Sequence, residues 1–490
     1  MGIAVGARRG DRVTAGRIVI AGTHSGAGKT TVACGVMAAL SRAGHTVAPF
    51  KVGPDFIDPS YHRLACGRPG RNLDAFLSGP ELIAPLARHG SAGADLLVVE
   101  GVMGLFDGAG GSGELASTAQ VAKLLGAPVV LVVDASAMAR SVGAIVHGFA
   151  TFDPGLRLGG VVLNRVASDW HEELLRAALA PTGVPVLGVL RRNAQLTTPE
   201  RHLGLVPAAE REAHARGTLS ALAETVRAGV DLDALVALAR TAPPAAGETW
   251  SPEPEAPVTR ARIAVAAGPA FSFHYEENHE LLAAAGAELV PFDPLTDEEL
   301  PARCGALLLA GGFPEVFGAA LSGNWALRAE IAAFARAGRP VLAECGGLLY
   351  LATELDGRPM CDVVGGRARM GERLSLGYRE AVAGADHPVW PAGTVTRGHE
   401  FHYSSLDPAA GDTPAWTLHA RGTERVEGHV VGGVHASYLH THWAATPAVA
   451  ARLVAAAAPR AHHPSRDDST ATVAVQSSLD ASRAAAGADA

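Results

Sequence analysis

An apolar segment near the start of the chain leads directly into a glycine-rich turn and then into a helical pattern. The sequence at 17–31 is RIVIAGTHSGAGKTT. Small residues let backbone N–H groups close around phosphate oxygens, and the N-terminus of the following helix favours negative charge. A strand, such a turn and a helix in immediate succession also form the first unit of a parallel sheet. The segment therefore predicts a P-loop within an α/β fold.

The residues of this P-loop have separate expected roles. Gly26 and Gly28 keep the backbone open to the phosphates of ATP, and Lys29 would reach the β- and γ-phosphates. The Thr30 hydroxyl would ligate Mg²⁺, and Thr31 completes the nucleotide-binding set. A glycine-rich turn that binds nothing is the alternative, and the flanking strand and helix argue against it. The spacing, GTxSGxGKT, departs by one residue from GxxxxGK[ST] and resembles the dethiobiotin synthetase relatives of the P-loop class.

Short apolar runs, each followed by a glycine-rich turn and a helical pattern, recur along the first half. Runs such as DLLVVEG, APVVLVVDA and GGVVLNR are typical of parallel strands that helices cover on both faces. Helical patterns at 30–43, 117–126 and 170–180 lie between such runs, so we expect a doubly wound parallel sheet. The alternation restarts after a stretch rich in Pro, Ala and Glu, which predicts a second α/β domain with antiparallel additions. The predicted division is a flexible N-terminus at 1–16, a P-loop domain at 17–240, a linker at 241–260, the second domain at 261–458 and a disordered tail at 459–490.

Composition limits the partners of this chain. Its 490 residues carry 41 Lys and Arg against 49 Asp and Glu, so no excess positive charge is available for a nucleic-acid backbone. The 5 cysteines are scattered without a CxxC pair, which argues against a disulfide framework and against a zinc ribbon. No apolar stretch has the length of a membrane span, and the N-terminus lacks the apolar region of a secretory signal. We therefore predict a cytoplasmic protein without nucleic-acid or membrane partners.

Polar residues follow two of the predicted strands. Glu100 ends the run DLLVVE, where its carboxylate can join Thr30 in holding Mg²⁺, and Asp107 follows in the same glycine-rich segment. A solvent-facing acid is the alternative for Glu100, and a turn former is the alternative for Asp107. Asn164, which ends the run GGVVLN, could hydrogen-bond an adenine edge or satisfy the backbone of a loop.

The segment KVGPDFIDPSYH at 51–62 carries more charge than a structural turn requires. We expect Lys51, Asp55, Asp58 and His62 to converge in a loop that two prolines hold. One positive and two negative groups facing a Mg-ATP site could coordinate the metal and orient an acid substrate. A solvated loop is the alternative.

A second candidate site centres on Cys345 in the segment AECGGLLYL. The thiol lies between a predicted strand and a Gly-Gly helix start, the position of a nucleophile elbow, where the helix N-terminus would lower the thiol pKa. The backbone N–H groups of Gly311 and Gly312 could form an oxyanion hole. His440 in GGVHASYLHTHW is the preferred base for the thiol, and His442 is its rival. A buried, inert cysteine is the alternative.

The segment RGHEFHYS at 397–404 has two explanations. Its His399, Glu400 and His402 have the spacing of metal ligands. The same alternation of polar side chains fits a strand that lines an interface, and we favour the strand.

Seven motifs, taken in order, resemble those of the glutamine-hydrolysing cobyrinate and hydrogenobyrinate a,c-diamide synthases. They are GTHSGAGKTT, KVGPDFIDPSYH, VEGVMGLFDG, AGGFPE, AECGGLLYL, RGHEFHYS and ASYLHTHW. The resemblance runs from Arg17 to Leu453 and rests on the ordered set, since each motif alone is weak. It implies an N-terminal ATP-dependent amidoligase domain, which activates acetate carboxylates, and a C-terminal class I glutamine amidotransferase domain of α/β type.

The resemblance also implies roles for individual residues. Cys345 would be the nucleophile and His440 the base. His442 stands where a class I triad usually carries its acid, so the orientation of His440 must come from elsewhere. The remaining roles are Lys29 on the phosphates, Thr30, Asp55 and Glu100 around Mg²⁺, and Asp58 and Asp107 at the carboxylate being amidated.

The implied substrates are cobyrinate or hydrogenobyrinate, glutamine and ATP, with Mg²⁺ as cofactor, in cobalamin biosynthesis. Cobyric acid synthase and nickel-sirohydrochlorin a,c-diamide synthase have the same two halves and are the alternatives. A P-loop ATPase switch is a distant alternative because it has no use for Cys345 and His440. The cobalt content of the ring stays open, as does the oligomeric state, for which a homodimer is one option.

Overall fold

The computed structural model describes residues 15–192, 200–201, 204–205, 212–253, 259–420 and 422–458. Most of the predicted flexible N-terminus and the whole predicted disordered tail lie outside these ranges. Both halves of the chain up to Ala457 belong to one compact unit. Among the described residues, no helix combines the length and the apolar character needed to cross a membrane.

The first half folds around a parallel sheet. Its strands are β1 (Gly16–Gly22), β2 (Val47–Val52), β3 (Arg71–Leu73), β4 (Leu96–Glu100), β5 (Val129–Asp134), β6 (Leu158–Val166) and β7 (Val186–Arg191). Their order is β3-β2-β4-β1-β5-β6-β7, and all neighbours are parallel. Every residue of the central strand β1 is buried, as expected for a strand that helices cover on both faces. The predicted doubly wound sheet is confirmed.

The helices of the first half are α1 (Lys29–Arg42), α2 (Ile57–Cys66), α3 (Pro80–Gly90), α4 (Thr118–Leu125), α5 (Ser141–Thr151), α6 (Asp169–Leu179), α7 (Glu212–Gly229) and α8 (Leu232–Arg240). The strands β8 (Glu200–Arg201) and β9 (Gly204–Leu205) pair before α7. The cap residues of α4 show why its bounds are predictable: Ser117 accepts a hydrogen bond from the Gln120 N–H, and Gly126 ends the helix in the left-handed conformation. The three predicted helices are confirmed to within one residue at each end.

The segment 51–62 differs from its prediction as a loop. It ends β2, turns at 53–56 and continues as α2. The Asp55 Oδ1 accepts hydrogen bonds from the N–H groups of Ile57 and Asp58 at 2.6 and 3.3 Å, and so supports the first turn of the helix. Pro59 is compatible with this turn, where no intrahelical N–H bond is needed. The helix turns Asp58 and His62, four residues apart, to one face.

The second half contains further strands and helices. In chain order they are β10 (Ala261–Ala266), α9 (Glu276–Ala284), β11 (Ala287–Phe292), β12 (Ala306–Leu309), α10 (Gly318–Gly323), α11 (Trp325–Arg336), β13 (Val341–Glu344), α12 (Gly346–Leu351), β14 (Glu354–Leu355), β15 (Arg358–Pro359), β16 (Arg367–Ala383), β17 (Val395–Asp407), β18 (Trp416–Ala420), β19 (Thr423–Glu427), β20 (His429–Val431), β21 (Val434–Ser437), β22 (His440–Thr441) and α13 (Ala448–Ala457).

These strands form two sheets. The first has the order β11-β10-β12-β13-β21-β20 and is parallel except for the β20–β21 pair. The second is built on the long antiparallel pair β16–β17, to which β14, β15, β18, β19 and β22 add. The α/β domain with antiparallel additions is confirmed. Pairing of β17 with β22 sets His399 opposite His440.

The linker packs on the first half although its described residues, 241–253 and 259–260, form no helix or strand. Trp250 is buried, its N–H donates to the Pro85 carbonyl at 3.2 Å, and its ring meets the edge of His89. Arg88 donates to the Ala246 carbonyl at 2.7 Å. The segment is therefore held along α3.

Polar contacts join the two halves. Arg71 on β3 donates to Glu277 Oε1 of α9 at 2.8 Å and also pairs with Glu280. The Tyr378 hydroxyl of β16 donates to Asp74 Oδ2 at 2.8 Å. These contacts hold the two halves in a defined arrangement.

Candidate active sites

The turn between β1 and α1 adopts the backbone that a P-loop requires. Gly26 and Gly28 have φ angles of 84° and 96°, which favour glycine. A methyl group built on Gly28 would lie 2.1 Å from Asn164 Nδ2, so this close approach also requires glycine. Lys29 is buried, and its Nζ donates to the His24 carbonyl at 3.1 Å. The lysine side chain therefore folds back over the turn.

A buried charged network surrounds Glu100 at the end of β4. Lys51 Nζ donates to Glu100 Oε1 at 2.9 Å and to Asp58 Oδ2 at 2.6 Å. His62 Nε2 lies 2.7 Å from Glu100 Oε2, and the Thr30 hydroxyl donates to Glu100 Oε1 at 2.5 Å. Burial opposes the charged forms, but Lys51 and His62 hold the pKa of Glu100 below its usual range, and the carboxylates hold the pKa of Lys51 above its own. Glu100 and Lys51 are therefore charged in the resting protein, whereas burial and the neighbouring Asp55 and Glu100 carboxylates raise the pKa of Asp58.

Oxygen atoms of the kind that Mg²⁺ prefers lie around Thr30, and two of them, Glu100 Oε1 and Asp58 Oδ2, accept hydrogen bonds from Lys51 in the resting protein. The Thr30 hydroxyl lies 2.5 Å from Glu100 Oε1 and 3.4 Å from Asp58 Oδ2, and hard oxygen donors are the ligands that Mg²⁺ prefers. Asp58, which the family resemblance assigns to the substrate, thus lies in the group around Thr30. Asp55, which the resemblance assigns to the metal, uses one carboxylate oxygen on the backbone of α2. Both assignments stay predictions.

Asp107 lies at the edge of the P-loop, on the segment that follows Glu100. Its Oδ2 accepts a hydrogen bond from the Gly104 N–H at 3.0 Å. A methyl group built on Gly104 would lie 3.1 Å from the Thr23 carbonyl oxygen, so this segment contacts the P-loop. Asp107 is exposed, and Met103, the residue before Gly104, has a φ of 48°, a strained value for a residue other than glycine. The role of Asp107 at a substrate carboxylate stays a prediction.

Asn164 at the end of β6 contacts the P-loop backbone. Its Nδ2 donates to the Ala27 carbonyl at 3.0 Å, and its Oδ1 accepts from the Arg165 N–H at 3.0 Å. This is the alternative in which the side chain satisfies the backbone of a loop. A contact between Asn164 and adenine stays a prediction, as does a nucleotide contact for Thr31, which is half-buried on α1.

The first testable prediction concerns the pH dependence of nucleotide binding. Burial, reinforced by Lys51, lowers the pKa of Lys29 to about 8. Phosphate binds the charged ammonium, so each pH unit above about 8 should weaken MgATP binding about tenfold, until the pH reaches the pKa of Lys29 in the complex. Titration calorimetry between about pH 7 and pH 9.5 would measure this slope. In Lys29→Arg the slope should vanish, because a guanidinium stays charged; equal slopes in both proteins would contradict the assignment.

Cys345 occupies a strained turn between β13 and α12. Its φ and ψ are 47° and -99°, and its N–H donates to the Ser437 carbonyl at 2.7 Å. A positive φ at a residue other than glycine is typical of a nucleophile elbow, so the predicted turn is confirmed. The role of the thiol stays a prediction.

The expectation of a lowered thiol pKa is wrong for the resting protein. Cys345 is only 4% exposed, and burial raises its pKa above the ordinary value. The Glu315, Glu344 and Glu400 carboxylates act in the same direction, and the opposing hydrogen bond from the Gly346 N–H is too weak to reverse them. The resting thiol is therefore neutral, and a base must take its proton.

The histidine and the glycine pair of the second site lie close to the thiol turn. A methyl group built on Gly311 would lie 2.5 Å from His440 Cε1. A methyl group built on Gly346, the residue after the thiol, would lie 2.9 Å from the Gly312 nitrogen. His440 is buried at the start of β22. The fold thus assembles the Cys345 turn, the glycine pair and His440, although they are distant in sequence.

Glu344 is a residue that sequence reasoning missed. Its Oε2 lies 3.5 Å from His440 Nδ1, and its Oε1 accepts from the Thr441 hydroxyl at 2.8 Å. The available signal was its position at the carboxyl end of β13, directly before Cys345. The rival base His442 faces elsewhere, with its Nε2 3.4 Å from Glu277 Oε2. Glu344 is therefore the carboxylate that we predict to orient His440.

A second testable prediction follows for Glu344. In Glu344→Gln the imidazole would lose its anionic partner, and we expect glutamine-supported turnover to fall about 10²-fold, the lower end of what a positioned general base contributes. Turnover with ammonium chloride should stay unchanged. Glu354→Gln is the matched control, since Glu354 pairs with Arg367 in the same half. Unchanged glutaminase turnover in Glu344→Gln would contradict the orienting role.

The segment 397–404 lies within β17, which confirms the polar strand. Glu400 is buried and pairs with Arg379 at 2.6 Å and with Arg425. His402 stacks on Tyr438 with ring centroids 3.7 Å apart, and His399 stacks on His440 at 4.9 Å. The segment therefore lines the second site with paired side chains.

One group of metal-ligand residue types was found in the described part of the chain, away from that segment. It comprises Cys34, His62 and Glu100, whose ligand atoms lie within 4.8 Å of one another. Burial raises the pKa of the Cys34 thiol well above its ordinary value. A neutral thiol is a poor ligand for Mg²⁺, so the oxygen donors around Thr30 remain the better magnesium ligands.

Comparison with protein families gives one match for each half of the chain. Residues 18–206 match a CobQ/CobB/MinD/ParA nucleotide binding domain. Residues 262–448 match a CobB/CobQ-like glutamine amidotransferase domain. The two ranges fall inside the two predicted domains, whose bounds stay predictions. The P-loop lies in the first range and Cys345 in the second.

Individual relatives match over nearly the full length of the chain. A hydrogenobyrinate a,c-diamide synthase of Streptomyces coelicolor is 57% identical over an alignment of 470 residues, and the match covers 89% of this chain and 96% of that protein. Another hydrogenobyrinate a,c-diamide synthase, from Mycobacterium tuberculosis, is 53% identical, covering 90% and 98%. A cobyrinate a,c-diamide synthase of Synechococcus is 43% identical, covering 88% and 96%. Each match is long enough to include both candidate sites.

Proposed function

We propose, since this chain belongs to the family of cobyrinate and hydrogenobyrinate a,c-diamide synthases, that it amidates the a and c acetate side chains of hydrogenobyrinate in cobalamin biosynthesis. ATP activates each carboxylate, and glutamine supplies the nitrogen. The enzyme is a glutamine-dependent carbon–nitrogen ligase.

The choice of macrocycle rests on the relatives. The hydrogenobyrinate enzymes of Streptomyces coelicolor and Mycobacterium tuberculosis are 57% and 53% identical to this chain. The cobyrinate enzyme of Synechococcus is 43% identical. The higher identity supports the cobalt-free ring, and cobyrinate is the competing substrate.

Activation takes place at the P-loop. A carboxylate is a poor electrophile, so an acetate oxygen attacks the γ-phosphorus of ATP, ADP leaves, and an acyl phosphate forms. The Lys29 ammonium neutralises phosphate charge, and Thr30, Glu100 and Asp58 are the oxygen donors that would hold Mg²⁺. The ion would supply further charge neutralisation at the phosphates. Ammonia then attacks the acyl carbon and phosphate leaves; the exposed Asp107 carboxylate can accept the released proton.

Ammonia release takes place at the thiol. His440 takes the Cys345 proton, the sulfur attacks the glutamine side-chain carbonyl carbon, and the N–H groups of the Gly311–Gly312 turn stabilise the oxyanion. His440 returns the proton to the departing nitrogen, so ammonia leaves and a glutamyl thioester remains. Water, deprotonated by His440, hydrolyses the thioester to glutamate. Ammonia in bulk water would become ammonium, so its release inside the protein keeps it nucleophilic.

One observation carries this proposal: a single compact unit contains two sites whose chemistries complement each other. The Lys29–Thr30–Glu100 group suits phosphate and Mg²⁺, and the strained Cys345 turn with His440 and Glu344 suits an acyl-enzyme. Neither site alone would complete an amidation from glutamine.

The test supplies purified protein with MgATP, glutamine labelled at its amide nitrogen, and hydrogenobyrinic or cobyrinic acid. We expect a product from hydrogenobyrinic acid that carries two labelled amides, with a lower rate for cobyrinic acid. A higher kcat/KM for cobyrinic acid would reverse the choice of ring. ATP hydrolysis without amidation of either ring would contradict the proposed function.

A further inference from the structure

The aromatic ring of Phe56 connects the P-loop half to the second site. Phe56 lies in the turn between β2 and α2, and its ring stacks on Phe273 with centroids 5.0 Å apart and planes 5° from parallel. It also lies 4.5 Å from Tyr275 and 5.1 Å from His440, measured between ring centroids. Phe56 is buried, at 8% exposure. A side chain of the ligase half thus touches the base of the glutaminase half.

Tyr275 provides a polar contact beside this ring. Its hydroxyl donates to the Pro54 carbonyl at 3.2 Å and lies 3.0 Å from His399 Nε2. With the hydroxyl proton given to Pro54, His399 Nε2–H is the donor to the tyrosine oxygen. His399 in turn stacks on His440 at 4.9 Å with planes 20° apart. Pro54, directly before Asp55, and Phe56, directly after it, therefore reach His440 by two routes.

The other end of the same segment lies in the proposed phosphate site. Asp55 supports the first turn of α2, and Asp58, two residues after Phe56, contacts both Lys51 and Thr30. A cation or phosphate that binds at Thr30 changes the partners of Asp58. Phe56 is the cap residue directly before α2, and Asp58 is the second residue of that helix, so a displacement of Asp58 would reach Phe56 through two peptide units.

We infer that Phe56, with Tyr275, is a positioning residue that couples occupancy of the ligase site to the orientation of His440, so that glutamine is hydrolysed when the ligase site is loaded. The inference rests on the proposed function. The resting state fits this role, since the Cys345 thiol is buried and uncharged and His440 Nδ1 lies 3.5 Å from Glu344, too far for a short hydrogen bond. A small movement of His440 would therefore be enough to change the inactive geometry of the second site into the active one.

The test measures the glutamate released per amide formed, and the stimulation of glutamine hydrolysis by MgATP with hydrogenobyrinic acid. In the wild type we expect a ratio near one and a stimulation of about tenfold, within the usual range of coupling between sites. In Phe56→Ala the stimulation should fall to about onefold, because His440 would keep its resting orientation when the ligase site is loaded. Amidation with ammonium chloride should stay within about twofold of wild type, because the ligase residues are untouched.

Three further variants separate coupling from packing. Phe76→Ala is the matched control, since Phe76 also joins the halves, by stacking on Tyr378 at 4.4 Å, and contacts none of the proposed catalytic groups. Tyr275→Phe keeps the ring but removes the hydroxyl contacts with Pro54 and His399. We expect it to lose part of the stimulation of glutamine hydrolysis by the loaded ligase site. Phe56→Leu keeps apolar volume without the ring contacts, and decides the question if the alanine variant does not fold.

The outcomes distinguish this inference from the proposed function. A Phe56 variant that stays coupled like the wild type would overturn the inference, and so would equal uncoupling in Phe76→Ala. A wild-type protein that forms no amide with either nitrogen source would instead overturn the proposed function.

Discussion

Replacement of Cys345 by alanine is expected to abolish amidation supported by glutamine and to leave amidation supported by ammonium chloride near the wild-type rate. Without the sulfur no glutamyl thioester can form, and loss of a nucleophile typically costs about 10⁴-fold or more in turnover. The ligase residues lie in the other half and keep their contacts. Parallel assays with the two nitrogen sources would measure the separation.

The control for this variant is Cys361→Ala. Cys361 is as buried as Cys345, at 4% exposure, and belongs to the same apolar core, but its thiol lies outside the strained turn. We expect it to lose some stability and to keep its glutaminase activity. Glutamine-supported turnover that survives in Cys345→Ala would show that a different group attacks glutamine.

Replacement of Lys29 by alanine is expected to have the opposite selectivity. Amidation should fall about 10²- to 10³-fold with either nitrogen source, as when one preorganised electrostatic group is removed from an active site. Basal glutamine hydrolysis should continue, because the Cys345 turn does not depend on the P-loop lysine. Rates of ADP formation and glutamate formation, followed in one sample, would show this split.

Lys123→Ala is the matched control for the lysine. Lys123 lies on α4 in the same half and pairs with Glu114 and Asp153 at the surface, so it should lose neither activity. If Lys29→Ala kept normal ATP-dependent amidation, phosphate would have to bind elsewhere. Loss of the unstimulated glutamine hydrolysis, measured without ATP, in Lys29→Ala would instead indicate misfolding, which thermal denaturation would reveal.

Features that depend on neighbouring residues were predictable from the sequence. The P-loop, the doubly wound parallel sheet and the turn at Cys345 follow from local patterns, because apolar runs, glycine positions and helix caps act over a few residues. For the same reason the ends of α4 could be predicted from its two cap residues, Ser117 and Gly126. The loop predicted at 51–62 was wrong because Asp55 and Pro59 suit the first turn of a helix as well as a turn.

Features that depend on distant residues required the tertiary structure. Glu344 lies beside His440 because the end of β13 and the start of β22 are close together in the fold. The spacing of the two residues in the sequence does not predict this contact. The protonated state of Cys345 depends on how deeply the fold buries it, a property that the local helix start does not reveal.

The sequence by itself therefore determined the two chemistries, phosphate binding and thiol catalysis, since each requires residue types that are close together along the chain. Only the tertiary structure decided how the two sites that carry these chemistries contact each other. Phe56 lies between two acidic residues in the sequence, and its ring reaches His440 because the second half packs against the β2–α2 turn. Long-range packing sets such contacts, whereas local patterns set the elements that carry them.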